Sequence, residues 1–252
     1  MIDKETLARI SKLTGLKLFQ QEKNYFQAII LRSIYSKTSR ELVFKGGTAL
    51  AFFYGLNRFS EDLDFTLNGD LDLSRLVKEI EKDFELLNIR ATFKIIEDNP
   101  KSFSFRIGIE GPLFTKEIER CFIRVEISKR EKISKNLEIK ELRPIYPDIL
   151  PFFVTVMNLE EILAEKVSAF WRGKSRDLYD VWFLLEKGVK VDLELVDEKL
   201  SYYGKSWNSK EFLKKIDALE KVWKRELEAI ILGSVPDFKG VKKTIRAKLK
   251  SS

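Results

Sequence analysis

Two carboxylates two residues apart, Asp62 and Asp64, stand in the run EDLDFTL, where Leu63, Phe65 and Leu67 alternate with them. Such alternation predicts a strand, on which residues i and i+2 point the same way, so both acids face one side while the apolar residues face a core. Two anions held that close repel. They become favourable around a divalent cation, and Mg2+ (or Mn2+) accepts a few carboxylates together with substrate phosphate oxygens. Upstream, Gly46 and Gly47 lie where an apolar LVF turns into TALAFFYG. Two glycines there let bare backbone amides approach a ligand at a helix N-terminus, which suits phosphate; taken alone they are more often a tight turn. Further on, Arg124, Glu126 and Ser128 alternate with Val125 and Ile127 in FIRVEIS. Glu126 therefore leaves its strand on a polar face, where a metal-dependent phosphoryl-transfer site takes a third acid; by itself it reads as a surface glutamate.

The elements that must position these groups fall into three zones. Residues 4–15 and 20–37 show helical spacing, the first run ending at Gly15. Between Leu42 and about Pro151 lie the glycine and acid motifs, an amphipathic helix over 72–88, and strand-like runs at 91–98, 102–111, 121–131 and 137–146. From residue 158 onward the period is helical, through 158–171, 176–188, 191–204 and 208–232. Pro147, Pro151 and the change of period divide the chain into 1–150 and 151–252. The fold class expected is α+β, a mixed sheet flanked by helices followed by a mainly helical C-terminal region.

The chain has 252 residues, of which 44% are hydrophobic, enough for a sizeable core. Its 46 Lys and Arg against 39 Asp and Glu give a net charge of +7, which favours polyanionic partners such as nucleic acid or nucleotide phosphates. A single cysteine, Cys121, and no histidine exclude disulfides, Cys/His zinc sites and imidazole triads. Carboxylates, lysine, hydroxyls and a hard metal remain. The first residues lack an apolar leader, and no apolar run approaches the roughly 20 residues that span a bilayer, so a soluble, cytoplasmic protein with no membrane contact is expected. The basic tail, Lys239, Lys242, Lys243, Arg246, Lys248 and Lys250, reads equally as a phosphate-backbone contact and as a disordered, solvated end.

The order Gly-Gly, short helix, Arg58-x-Ser60-x-Asp62-x-Asp64-Phe65 and a later strand acid resembles nucleotidyltransferases of the DNA polymerase β type. Within that group it is most similar to the AbiEii/AbiGii family, which includes MenT-type toxins of type IV toxin-antitoxin systems. KGGTALAFFYGLNRFSEDLDF matches the family signature from Lys45 to Phe65, and ILAEKVSAFWRGKSRDLYDVWFL resembles its later motifs through Lys166, Arg176, Asp177 and Asp180. The likeness runs over roughly residues 40 to 187.

The resemblance implies a polymerase β-like domain and a set of roles. Asp62 and Asp64 hold Mg2+, and Glu126 completes the metal site or takes the proton of the attacking hydroxyl. Lys45, Gly46, Gly47 and Thr48 cradle the phosphates of an NTP. Lys166 presents its ammonium to the triphosphate, Arg176 binds phosphate or supports an acid, and Asp177 orients the nucleotide or acts as a base. Asp180 pairs with Arg176 across one turn, Arg58 sits near the phosphates or an acid, and Ser60 bonds backbone or a carboxylate. The C-terminal domain completes the active site. The implied reaction moves a nucleoside monophosphate from an NTP to an acceptor, RNA at a tRNA 3′ end, with a cognate antitoxin as a further partner. Transfer to a protein or small molecule, or a catalytically silent nucleotide- or RNA-binding protein, is the alternative.

Overall fold

Along Cys121–Ser128 every odd-numbered residue is buried and every even-numbered one is at least partly open, the period of a strand with one face on a core. This strand, β5, belongs to a seven-stranded mixed sheet in the computed structural model of the chain, which describes residues 1–250. The other strands are β1 (Leu42–Lys45), β2 (Leu63–Leu67), β3 (Ala91–Asp98), β4 (Ser102–Ile109), β6 (Glu138–Leu142) and β7 (Phe152–Val156). Their order is β3-β4-β5-β2-β1-β7-β6, with β2–β5 and β1–β7 parallel and the remaining neighbours antiparallel.

The chain forms two compact units. The first holds the sheet and helices α1 (Lys4–Thr14), α2 (Leu18–Tyr35), α3 (Gly46–Tyr54) and α4 (Leu73–Leu86). Asp3 caps α1 by accepting the Thr6 amide at 2.7 Å, and Gly15 ends it at φ 76°, a conformation that costs glycine nothing. Asp72 caps α4, whose Leu73, Leu76, Val77, Ile80 and Phe84 recur on one face and are buried. These side chains join Phe103, Phe105, Ile123, Val125 and Ile127 of the sheet in one core.

The second unit contains α5 (Leu159–Ala169), α6 (Ser175–Glu186), α7 (Leu193–Ser201), α8 (Ser209–Ala218), α9 (Trp223–Leu227) and α10 (Phe238–Lys250). Two earlier segments, Gly55–Arg58 and Ile133–Leu137, also belong to it. The first is tied in by a bridge from Arg58 to Ile231, the second by Ser134 and Lys135 amides donating to buried Glu161 at 3.0 Å.

Three expectations from sequence change. Phe152–Val156, read only as a boundary, is a strand lying between β1 and β6. Residues 208–232 are two helices, α8 and α9, parted by a turn near Leu219 instead of one long helix. The basic tail is an ordered helix: Val241 and Ile245 of α10 are buried, and Lys242 and Arg246 pair with Asp217. Amphipathic spacing of Phe238, Val241 and Ile245 anchors that helix despite its charge. Residues 251 and 252 lie outside the described part.

Candidate active site

In the sheet unit the register assembles the motif residues. Antiparallel pairing of β1 with β2 sets Lys45 opposite Asp64, and parallel pairing of β2 with β5 sets Asp64 beside Glu126. Residues in register share a face; Asp62, expected on the same strand, lies in the bend just before β2. Asp62 and Asp64 are half-buried and Glu126 is 46% exposed. Glu126 accepts Arg124 at 2.9 Å on the same strand.

Gly46 follows β1 directly and opens α3 at φ 77°. A Cβ built there would lie 2.4 Å from Asp64 Oδ2 and 3.0 Å from its Cβ and Cγ. The bare backbone of the turn thus presses against the acid, an approach only glycine permits. Thr48, fully buried, donates its hydroxyl to the Asp62 carbonyl at 2.5 Å. That bond ties the first turn of α3 to the entrance of β2, and it is how the hydroxyl is used in this structure, where phosphate was the role expected for it. Lys45 is buried and its ammonium pairs with buried Glu131. The loop before the acids is held by Gln27 of α2, whose Nε2 donates to the carbonyls of Ser60 and Glu61, both at 2.9 Å. Sequence reasoning passed over Gln27 and Glu131. A polar residue inside the apolar periodicity of α2 was the available signal for the first; nothing in sequence marked the second.

Among the described residues no group of three His, Cys, Asp or Glu side chains converges tightly enough to hold a metal ion. The donor set still fits Mg2+, which binds through one or two carboxylates and leaves its other positions to water and substrate phosphate. Asp62 and Asp64 would supply that pair, and at Gly46 bare backbone lies against Asp64.

In the helical unit a second charged group is built around Asp180. Arg58 donates from Nε to Oδ1 and from Nη2 to Oδ2, both at 2.6 Å, and Lys166 Nζ lies 2.8 Å from Oδ2. The Asp180 and Arg58 side chains are 0% and 3% exposed. Burial alone raises a carboxyl, but the Arg58 and Lys166 cations outweigh it and hold Asp180 below the usual carboxylate range. Asp177, one turn earlier and buried, meets Arg172 at 3.3 Å and Lys166 at 3.8 Å. The Asp180–Arg176 pair suggested by spacing is replaced: Arg176 is exposed, and the buried carboxylate is met by the two cations that share its interior. Arg58 accordingly meets an acid, one of the two uses expected of it. Gly173 at φ 69° separates α5 from α6 and so orients the two faces carrying Lys166 and the acids.

A family model described as nucleotidyl transferase AbiEii toxin of type IV toxin-antitoxin systems matches residues 29–249. The chain belongs to the AbiEii family. The match extends the likeness well beyond residues 40–187 and into α10, and it makes this AbiEii protein a nucleotidyltransferase. Solved structures of similar fold include JHP933 from Helicobacter pylori, with 20% identity over 93% of this chain and 91% of that one and a TM-score of 0.62. MenT4, a nucleotidyltransferase toxin of Mycobacterium tuberculosis, is similar over 98% of this chain and 88% of its own at 16% identity and a TM-score of 0.65. No curated protein sequence matches the AbiEii chain. Among the described residues no helix is long and apolar enough to cross a membrane.

Proposed function

We propose that this nucleotidyltransferase transfers a nucleoside monophosphate from an NTP to RNA, at a tRNA 3′ end, using a divalent metal. The observation that supports this most is the Lys45, Asp64, Glu126 register with the Gly46 backbone pressed on Asp64. Asp62 and Asp64 are the residues to hold Mg2+, which when bound neutralises charge on the phosphates. The acceptor oxygen forms a new bond to the α-phosphorus while the bond to the bridging oxygen breaks, and pyrophosphate leaves with that electron pair. Glu126, polar-faced and in register with Asp64, is placed to take the hydroxyl proton. The amides at Gly46 and Gly47, at the start of α3, donate to phosphate, and Lys45 adds a cation whose position Glu131 fixes.

For the helical unit, Lys166 is the nucleotide-facing cation and Asp177 the residue acting with it, while the Asp180–Arg58 pair holds Lys166 in place. Exposed Arg176 is a phosphate contact, and Ser60 supports the turn into β2. The excess of cations over acids suits an RNA backbone. As a member of a toxin family the protein has a cognate antitoxin as its expected partner, and its site of action is the cytoplasm.

The test incubates purified protein with each labelled NTP, Mg2+ and total host RNA beside an Asp64→Ala control. Label in tRNA that requires Asp64 supports the proposal. Label in protein assigns the acceptor to that class, and no label with any NTP or acceptor leaves a nucleotide-binding module.

A further inference from the structure

Glu126 and Asp64 lie in one register row of the sheet, and the next row along β5 is different in kind. Lys94 of β3 pairs in register with Arg106 of β4, and Arg106 with Arg124 of β5. All three are exposed, so three cations stand side by side on the acid-bearing face, one register step, roughly 7 Å, from the acids. Arg124 joins the two rows through its 2.9 Å contact with Glu126. One step further along β5 is Phe122, 40% exposed, with the Arg106 guanidinium 4.9 Å from its ring centroid. Its neighbour across the strand is Gly108, where an added Cβ would come within 2.8 Å of the ring. The phenyl ring therefore lies down on bare backbone, an arrangement that spends a glycine in mid-strand to keep a large apolar ring flat at the surface.

We infer that this open β3–β4–β5 face is the platform on which a single-stranded RNA acceptor lies, its backbone on Lys94, Arg106 and Arg124 and a base on Phe122. The inference deepens the proposed function and rests on its RNA acceptor. Cations along a groove with an interleaved aromatic are the combination that binds single strands without reading sequence. The row spans only three strands, roughly 10 Å, which suits one backbone. It also leads from the sheet edge at β3 inward to the acids on β5 and β2, the direction a chain end must take to reach them.

The experiment measures binding of a labelled 12-nucleotide single strand, and of tRNA, to the full chain by fluorescence anisotropy across a salt series, with NTP binding and melting temperature recorded for every variant. Lys94→Gln with Arg106→Gln is expected to weaken RNA binding at least tenfold and to reduce the salt slope by about 1.4, two lost phosphate contacts on a single strand. Phe122→Leu is expected to weaken it about tenfold with an unchanged slope, whereas Arg106→Lys keeps the slope. NTP binding and melting temperature stay at wild-type values. Equal RNA binding and labelling by wild type and all variants overturns the platform while leaving RNA as acceptor. A wild-type protein that labels protein and binds no RNA overturns both.

Discussion

Replacing Gly46 with alanine separates two effects that the turn before α3 combines. Its φ of 77° strains any L side chain, by about 1–2 kcal/mol. Gly15, at φ 76° with nothing within 4 Å of an added methyl, carries the same backbone strain at the end of α1, away from the acids. Gly15→Ala should therefore lose roughly 2–8 °C in melting temperature, and Gly46→Ala at least as much. Only at Gly46 does the methyl also meet Asp64, 2.4 Å from Oδ2 and 3.0 Å from Cβ and Cγ. Because the acid's own Cβ is crowded, a side-chain rotation does not relieve the contact, and the carboxylate or the turn must move by about 1 Å to restore ordinary van der Waals distance. A displacement of that size at reacting groups costs on the order of 100-fold in rate, or about 2.7 kcal/mol of barrier. Pyrophosphate release with NTP, Mg2+ and RNA should fall about 100-fold in Gly46→Ala and stay near wild type in Gly15→Ala. If the two variants differ in activity by less than threefold, the close approach of Gly46 to Asp64 has no part in the chemistry and the argument fails.

Three other outcomes follow from side-chain surroundings. Asp180→Asn leaves Arg58 and Lys166 without their buried carboxylate and should cost about 3–5 kcal/mol at pH 7; because the folded carboxyl titrates below its ordinary 3.8, that stability is fully present above 3.8 and is lost as pH falls from there through the lower folded value, so thermal melts of wild type and variant should converge only in that acid range. Lys45→Met should destabilise by removing the ammonium that pairs with buried Glu131, and Lys45→Met with Glu131→Gln should recover the melting temperature but not the KM for NTP; recovery of both would make the pair purely structural. Cys121 is buried, and burial, aided by the nearby Glu22 carboxylate, pushes its thiol up to about 12, so iodoacetamide at pH 8 should label it only as fast as the protein unfolds, as followed by mass spectrometry.

Much of the sheet unit was legible because its signals are local. The alternation of EDLDFTL and FIRVEIS gives both strands and the polar face on which Asp64 and Glu126 stand, though Asp62 falls in the bend before β2, and the capped, amphipathic run at 72–88 gives α4. Phe152–Val156 was missed because its exposed Phe153 and buried Val154 and Val156 are all apolar, so the alternation of faces leaves no polar signal and Pro151 made the run look like a boundary. The Asp180 pairing was out of reach for a different reason. On α6 the spacing offers Arg176 as a partner four residues away, but the partner chosen is Arg58, 122 residues away in sequence, brought in by a β-bridge to Ile231 that no pattern announces.

The same contrast separates the motif residues of the two units by how each is held. Asp64 and Glu126 are placed by backbone register, so replacing either side chain leaves the other's backbone where it is, whereas a methyl added at Gly46 displaces Asp64 directly. Lys166 is placed by side chains: its ammonium sits against Asp180, which Arg58 in turn holds with two hydrogen bonds. Removing Arg58 therefore acts on Lys166 through a carboxylate that both share, and effects of changes at these three positions should not add. Motif residues that behave independently and motif residues that behave as one unit follow directly from whether the fold fixes them by main chain or by charge.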